Sequence, residues 1–417
     1  MENQNIFKKM QPAIIWGIAD LYFIFAVTIT ILFGVLSPDM QKQLNLTSAH
    51  LGFLGFAFFL SFGVTQLLTG GLIDSWGPRF SLTIAPCIAA TGLFLLTTAE
   101  GFNQAFLAQL ITGAGLSISY VGAIYLAAMW FTQKYFSLLA GMTLMSANIV
   151  SASLISIMAL AGAVEVNFRI ITGILAVVAL TMAFLLFLIV RKSPNANQND
   201  KTQKSPFWKD LRNLLHIPQF WLGAIYFSTT ICVYLAFSSL WNVPESLAYG
   251  HSLKTATMMS ATLRFGSALG AIISGLIAGY MSGSSTIIRC YSAGAILCGV
   301  VLIYGPILSV PVVFLLFALL GFFFGGAAMG FPFVGQYIPA TLKGTGFGLM
   351  AAMGYLLSAF MQYLIGLILS KQVLIGSDPT VEAFKIALTP LVIVLAIGWF
   401  CSLWLRDTQN TALKKQV

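Results

Sequence analysis

The sequence predicts an all-α polytopic membrane protein with twelve transmembrane helices, and three observations support this prediction. Of its 417 residues, 58% are hydrophobic and only 8% are charged. A soluble domain of this size cannot bury so much apolar surface, because its interior is limited by its surface-to-volume ratio. Apolar runs of about 20 residues, the length of a helix that crosses a bilayer, recur along the whole chain. A β-barrel would show short alternating segments instead.

The apolar runs can be followed in order from the amino end. The first is too long for the hydrophobic region of a cleaved signal peptide, so we expect it to be retained as a span. The predicted spans are residues 12–36, 49–72, 80–99, 104–128, 136–160, 168–190, 218–240, 255–280, 287–306, 311–336, 344–370 and 382–405.

The distribution of basic residues predicts the orientation. With both termini in the cytoplasm, fifteen of the 21 Lys and Arg residues lie on the cytoplasmic side, five lie outside, and Arg264 lies within a span. This is the positive-inside bias. It predicts a multi-pass protein of the inner (plasma) membrane, in contact with lipid. It also explains the net charge of +9 without a nucleic-acid partner.

A polar stretch from Arg191 to Gln219, rich in Asn, Gln, Ser and Lys, divides the chain between the sixth and seventh spans. We read it as a linker with a short amphipathic segment on the membrane surface. The predicted units are an N-terminal six-helix bundle (residues 1–190), a cytoplasmic linker (191–217) and a C-terminal six-helix bundle (218–417).

Two pairs of short segments suggest that the halves are related. "GGLID" ends the second span and "SGLIA" ends the eighth, while "GMTLMSA" begins the fifth span and "GFGLMAA" begins the eleventh. The two members of each pair are separated by nearly the same number of residues in both cases. Repeated halves around a central cavity are typical of secondary transporters.

The loop between the second and third spans follows the pattern G-x-L-x-D-x-x-G-x-R, with Gly70, Leu72, Asp74, Gly77 and Arg79 at the defined positions. The glycine at the helix end lets the chain turn, and Gly77 followed by proline predicts a tight turn. Asp74 then stands at a helix end, where a carboxylate can meet the N-terminus of a neighbouring helix or a basic side chain.

In this topology the loop resembles the signature of the major facilitator superfamily, and the resemblance covers the whole chain. It implies two pseudo-symmetric six-helix bundles and transport by alternating access. It also implies that Gly70, Asp74, Gly77 and Arg79 form a conformational latch when the cavity faces outward. Ser75 stands where many members have a basic residue, and Ala278 stands where Asp74 is repeated in the second half. The latch is therefore expected on one side only; the alternative is that these are solvated loop charges.

Two departures argue against a drug exporter. "QLITGAG" resembles the fourth-span motif of proton-coupled exporters, but Gln109 replaces the expected arginine. The Gly-Pro-rich fifth-span motif of drug/proton antiporters is missing from "GMTLMSANIVSAS".

Charged side chains inside a membrane are costly and mark functional candidates. Two of these lie inside the predicted spans and away from the span ends, Asp20 and Arg264. Arg264 lies on a stripe of small polar residues with helical spacing, and its planar fork of donors matches a carboxylate. An eighth-span arginine also resembles the oxalate and monocarboxylate porters, although the eleventh-span lysine of oxalate exchange is absent. The alternative is that Arg264 neutralises Asp20 or caps carbonyl groups.

Asp20 is the expected proton carrier, because it is the one carboxyl group inside a predicted span and away from the span ends. His50, His216 and His251 fall near loops. A static ion pair with Arg264 is the alternative role for Asp20.

Other polar residues at helical spacing extend the candidate substrate site. Each of them could equally bond a neighbouring helix. Together with Arg264, the candidates are Tyr120, Asn148, Tyr226, Tyr355 and Gln362. The five cysteines all lie in apolar runs and fit small buried side chains, so no metal site is expected.

The sequence contains no phosphate-binding G-x-x-x-x-G-K-[ST] loop and no H-E-x-x-H motif, so we expect neither an enzyme nor a resident cofactor. The prediction is proton-coupled uptake of a small anionic or zwitterionic solute by a monomer: an organic acid, an amino acid or a carboxylate siderophore. The first span resembles nutrient permeases of intracellular bacteria, which keeps amino acids, nucleosides and siderophores open. The alternative is an exporter of metabolites or drugs.

Overall fold

The computed structural model describes residues 2–131, 133–162, 167–191, 212–280, 284–339, 343–372 and 379–407. These residues contain twelve helices long and apolar enough to cross a membrane and include no β-strand. The predicted all-α class is therefore confirmed. We number the spanning helices α1 to α12 and call α1–α6 the N-terminal half and α7–α12 the C-terminal half.

The helices of the N-terminal half are α1 Glu2–Gln43, α2 Ser48–Trp76, α3 Pro78–Thr97, α4 Phe102–Trp130, α5 Gln133–Leu160 and α6 Phe168–Ile189. Those of the C-terminal half are α7 Pro218–Ala248, α8 Leu253–Tyr280, α9 Ser285–Tyr304, α10 Val310–Gly335, α11 Lys343–Gln372 and α12 Val381–Leu403.

The turn between α2 and α3 has the geometry that its sequence predicts. Gly77 has φ 82° and ψ 155°, a backbone conformation that is essentially restricted to glycine. Pro78 follows as the first residue of α3, where its fixed φ suits a helix and its missing N–H leaves no bond unmade. The predicted tight turn is therefore confirmed.

Three of the spanning helices are irregular. The helix α4 is interrupted at Ser117, and the Tyr22 hydroxyl of α1 donates to the carbonyl oxygen of Gly115 at 2.8 Å beside this break. The helix α7 contains a π-helical segment, Phe237–Trp241, and α10 contains a 3-10 segment, Gly325–Met329. Because π-helical turns are rare and are found mostly at functional sites, the α7 segment marks a candidate functional position.

Two helices run further than the sequence predicted. The helix α7 ends at Ala248 rather than at residue 240, and α1 continues to Gln43 rather than to residue 36. The interpretation of Asp20 as the one carboxyl group inside a span is therefore wrong, since Asp39 and Glu245 also lie within spanning helices. Pro244 lies in the first turn of the segment that follows the π-helix, where proline is tolerated.

Because twelve spans alternate in direction, both chain termini lie at one end of the bundle, here called the terminal end; the opposite end is called the distal end. Contacts between the halves are close toward the distal end. A Cβ atom added to Gly366 of α11 would lie 2.7 Å from the carbonyl oxygen of Ser48 and 2.9 Å from the Cα of Gly52, both in α2. Gly348, on the same face of α11 about five turns nearer the terminal end, has no atom within 4 Å of such a Cβ.

Helices α1 and α7 repeat this arrangement, because a Cβ on Gly34 would lie 2.5 Å from the carbonyl oxygen of Ser239. We call these close contacts of α2 with α11 and of α1 with α7 the distal seam. Aromatic contacts between Phe53 and Tyr363 (4.3 Å between ring centroids) and between Phe62 and Tyr355 (4.4 Å) extend it toward the middle of the bundle. We conclude that the halves are closed against each other at the distal end and diverge toward the terminal end.

Candidate functional site

Arg264 lies in the middle of the bundle, where the two halves meet. Its side chain is only 2% exposed. Its Nη2 donates to the hydroxyl oxygen of Thr30 in α1 at 3.3 Å and to that of Ser238 in the π-helical segment at 3.2 Å. The guanidinium is therefore held by one hydroxyl group from each half.

In the described part of the chain, no carboxylate lies within ion-pair distance of Arg264. The ion pair found among the described residues joins Lys385 and Glu382 of α12, at 2.7 Å. Arg264 and Asp20 do not pair in this conformation, so the interpretation of the two as a static ion pair finds no contact here. The Nε of Arg264 is buried and has no hydrogen-bond partner in the described part of the chain.

An aromatic group borders the guanidinium. The ring centroid of Tyr234 lies 5.4 Å from its central carbon, within the range of a cation–π contact. Tyr355 lies close enough for an electrostatic interaction with both Arg264 and Tyr120. The structure thus brings together three of the residues predicted for the substrate site, Arg264, Tyr120 and Tyr355.

Asn148 joins this group from α5. Its Oδ1 accepts a hydrogen bond of 2.8 Å from the hydroxyl of Tyr234, which connects the two halves. Two residues earlier in α5, the hydroxyl of Ser146 donates to the carboxylate oxygens of Asp20 at 2.9 and 3.1 Å. A single stretch of α5 therefore contacts both the carboxyl group of α1 and the aromatic border of Arg264.

Asp20 is 7% exposed and faces α5 rather than Arg264. One turn earlier in α1, the Trp16 Nε1 donates to the Thr143 hydroxyl at 3.2 Å, so the two helices are joined by two polar contacts. Asp20 lies nearer the terminal end than Thr30, which places the carboxyl group between Arg264 and the side on which the halves diverge.

Gln362 and Tyr226 have other surroundings. Gln362 is fully buried, and its Nε2 donates to the hydroxyl of Ser239 at 3.0 Å, beside the distal seam. Tyr226 packs in an apolar cluster inside the C-terminal half with Phe333 and Tyr291. The structure therefore places Gln362 next to the Arg264 site and does not bring Tyr226 to it.

Sequence reasoning missed the hydroxyl partners of the two charges, Thr30, Ser238 and Ser146. Serine and threonine are common in membrane helices and usually bond the carbonyl group one turn earlier, as the Thr30 hydroxyl also does to Val27 at 2.6 Å. The sequence gives no signal that separates these three from the others, because the choice depends on which helix faces are opposed.

The space beside the site is small in this conformation. A cavity of about 20 Å³ adjoins Thr30 and Ser239, and its remaining walls are mostly apolar side chains of the N-terminal half, together with Gln109, Thr112 and Thr172. This volume holds about one water molecule. This cavity would therefore have to widen before a solute larger than water could enter it.

Of the predicted latch residues, Arg79 contacts its own half. Its Nε donates to the carbonyl oxygen of Phe187 at the end of α6 at 2.9 Å, and its guanidinium lies 4.4 Å from the ring centroid of that residue. The C-terminal half has a matching contact, from the Nε of Arg289 in α9 to the carbonyl oxygen of Ser402 in α12 at 3.1 Å. The side chain of Asp74 and residue Gly70 lie outside the described side chains, so the latch contact remains a prediction.

The chain resembles known transporters in sequence and in fold. The "Probable nitrate/nitrite antiporter NarK1" of Thermus thermophilus is 26% identical over 268 residues, which are 61% of this chain and 58% of that protein. The chain thus spans less than two thirds of the length of this relative. A bacterial homologue of the human lysosomal transporter Spinster, in an inward-facing and unoccupied conformation, has a TM-score of 0.72 and 14% identity over 95% of this chain and 98% of that one.

A D-xylose–proton symporter has a TM-score of 0.71 with 15% identity, and the alignment covers 94% of this chain and 96% of that one. At this identity the two solved structures establish the fold. The sequence profile of the Major Facilitator Superfamily matches residues 20–362, which is most of the chain. Together with the twelve helices and the loop motif around Gly77, this match shows that the protein belongs to the Major Facilitator Superfamily.

Proposed function

We propose that this transporter takes up a small carboxylate-bearing solute together with protons, by alternating access around Arg264. Transport as such follows from membership in the family. The solute class follows from the site: an organic acid, an amino acid or a carboxylate siderophore would each present a carboxylate to the guanidinium.

The observation that supports this proposal is the unbalanced charge of Arg264. A guanidinium that is 2% exposed has lost most of its contact with water. Two hydroxyl groups at 3.2 and 3.3 Å compensate only part of that loss. Removing a charge from water costs several kcal/mol unless it is paired and hydrogen-bonded. An anion that binds the free donors would supply the missing partner, and this cost favours its binding.

A second candidate solute is a small inorganic oxyanion. The relative from Thermus thermophilus is named for nitrate and nitrite. A planar oxyanion presents two acceptor oxygens to an arginine as a carboxylate does. Either solute could also be moved outward, so export of a metabolite remains the alternative direction. A drug exporter is disfavoured, since Gln109 replaces the arginine of the fourth-span exporter motif and the Gly-Pro-rich fifth-span motif is missing.

Asp20 is the proposed proton carrier. Its carboxyl group is 7% exposed and is held by the hydroxyl of Ser146 rather than by a cation. A carboxyl group in such surroundings can bind and release a proton without breaking an ion pair. The stretch Ser146–Asn148 then connects the proton site to the border of the anion site.

The orientation that we propose places both termini in the cytoplasm and the protein in the inner (plasma) membrane as a monomer. The basic residues support it, with fifteen on the cytoplasmic side against five outside. The distal end then faces the exterior, and the conformation described here is closed to the outside. Asp74 and Arg79, at the terminal end, act as the latch of the opposite conformation in this proposal.

A thermal-shift screen of the purified protein tests the anion site. The ligands are nitrate, nitrite, monocarboxylates, dicarboxylates, amino acids and nucleosides, each at an acidic and a neutral pH. A ligand present at 100 times its dissociation constant stabilises the native state by about 2.7 kcal/mol, which raises the melting temperature. We expect a carboxylate to give this rise and Arg264→Lys to abolish it, because an ammonium group cannot reproduce the planar fork.

Arg406→Lys is the matched control, because Arg406 is exposed beyond α12 and far from the site in sequence. Stabilisation by nitrate and nitrite but not by carboxylates would select the second candidate. Stabilisation by nucleosides or neutral solutes alone, or an unchanged response in Arg264→Lys, would refute an anion site at this residue.

A further inference from the structure

Glu245 is a buried acidic side chain to which the functional site described above gives no role. Glu245 lies in α7, close to its distal end, and is 6% exposed. No described residue forms a hydrogen bond or an ion pair with its carboxyl group. A carboxylate fixed there would lack both water and a partner, which is unfavourable. Its position three residues before the end of α7 places it nearer to the distal solvent than to the terminal end.

A second polar group without a partner lies one helical turn before Glu245. Trp241 is fully buried, and its indole Nε1 has no hydrogen-bond partner among the described residues. Residues four apart in a helix lie on the same face and can touch. An unpaired donor and an unpaired carboxyl group therefore lie one helical turn apart on α7, a spacing at which the indole N–H can reach a carboxylate oxygen after a change of side-chain rotamer.

Trp241 is also the last residue of the π-helical segment Phe237–Trp241. This segment contacts both the anion site and the distal seam: the Ser238 hydroxyl accepts from Arg264, and the Ser239 hydroxyl accepts from Gln362. A bond between Trp241 and Glu245 would pull on the end of a short, irregular segment whose other residues hold Arg264 and the seam. A change in the charge of Glu245 would thereby affect both the contact with Arg264 and the distal seam.

Three other charged side chains at this end already have partners. The elements packed against the end of α7 are its own π-helical segment, α1, α8 and α12. Glu382 and Lys385 of α12 pair with each other, and Asp39 of α1 accepts from the side chain of Gln43 and from the backbone N–H of Phe168. The remaining titratable or charged groups there are Tyr249, which lies within electrostatic range of Glu245, and Lys42, His251, Lys254 and Arg264.

We propose that Glu245 is a second proton-binding group of this transporter, reached from the distal end and coupled through Trp241 and the π-helical segment to the anion site and the distal seam. When protonated, the carboxyl group is neutral and stays buried without a partner, as observed. When it releases its proton to the distal solvent, the carboxylate accepts the Trp241 indole N–H, and the π-helical segment shifts. The inference rests on the proposed proton coupling, but its test needs no substrate.

Infrared difference spectroscopy of the purified protein between acidic and alkaline buffers measures proton binding by buried carboxyl groups directly. We expect Glu245→Gln to remove a C=O stretching band of a protonated carboxyl group that Asp20→Asn retains. Glu382→Gln is the matched control, since Glu382 lies in α12 at the same end with a side chain that is 74% exposed. A titration spectrum unchanged by Glu245→Gln would overturn the proposal.

A second measurement uses the unaltered chain and therefore does not depend on whether a variant folds. An apolar carbodiimide reacts with protonated carboxyl groups in apolar surroundings, and mass spectrometry locates the adduct. We expect labelling of Glu245 in acidic buffer, its loss in alkaline buffer, and no labelling of Glu382. Absence of labelling at Glu245 at every pH would contradict a proton site there.

The coupling is tested with spin labels at the distal ends of α1 and α8, placed by Lys42→Cys and Lys254→Cys in a background without the native cysteines. Asp20→Asn is included, so that a pH-dependent change of the distance cannot come from Asp20. We expect the distance distribution to shift with pH, and Glu245→Gln or Trp241→Phe to abolish the shift. A shift that persists in both variants would refute the coupling, whereas failure of the anion screen alone would leave this result intact.

Discussion

Gly366→Ala is expected to open the distal side of the transporter. In the conformation described here, the new Cβ would lie 2.7 Å from the carbonyl oxygen of Ser48 and 2.9 Å from the Cα of Gly52. Both are backbone atoms of α2, so no side-chain rotation can relieve the overlap. The helices α2 and α11 must move apart, and they belong to opposite halves.

The free-energy cost of this overlap can be estimated. Forcing extra carbon atoms into a packed interior costs about 1–3 kcal/mol. The cost applies to the distal-closed conformation, in which the two helices touch, and disappears when they separate. Since about 1.4 kcal/mol corresponds to a factor of ten, the ratio of distal-open to distal-closed molecules should rise by roughly 5- to 150-fold.

Spin labels introduced by Lys42→Cys and Lys254→Cys report this ratio, because α1 and α8 carry them at the distal end of opposite halves. The expected result is a larger population at the longer distance. Gly348→Ala is the matched control: it adds the same methyl group to the same face of the same helix, but with no atom within 4 Å. Any general effect of alanine on helix stability is therefore shared by the two variants.

A distance distribution that is identical for Gly366→Ala and Gly348→Ala would refute the conclusion that the distal seam closes the distal end. A longer distance in both variants would instead show that alanine alters α11 itself, independently of its contact with α2. Transport should slow in Gly366→Ala alone, because each cycle requires the seam to close.

Two further predictions concern the proton site and the loop. Asp20→Asn should abolish accumulation driven by a pH gradient while retaining exchange of labelled solute across the membrane, measured in proteoliposomes; retained accumulation would show that Asp20 is not required for coupling. Gly77→Ala should lower the free energy of unfolding by about 1–3 kcal/mol, because its φ of 82° strains any other residue, whereas Gly71→Ala within α2 should be neutral or stabilising by up to about 1 kcal/mol. Equal melting temperatures for these two variants would contradict the assigned backbone strain.

The sequence by itself determined the number and nature of the spans. A helix in a bilayer satisfies its own backbone hydrogen bonds, so an apolar run of sufficient length is enough to define it. The turn at Gly77 was equally predictable, because glycine followed by proline restricts the backbone locally. Arg264 and Asp20 could be selected for the same reason: a charge within an apolar run is costly wherever the helix packs.

The partners of those charges were decided by the tertiary structure alone. Arg264 is held by Thr30, 234 residues away, and by Ser238, 26 residues away. Periodicity does not fix which faces of two membrane helices meet, because the lipid and the protein interior are both apolar. The predicted seventh span ended at residue 240 and left Glu245 outside it; only the packing of α7 beyond its π-helical segment places that carboxyl group inside the bundle.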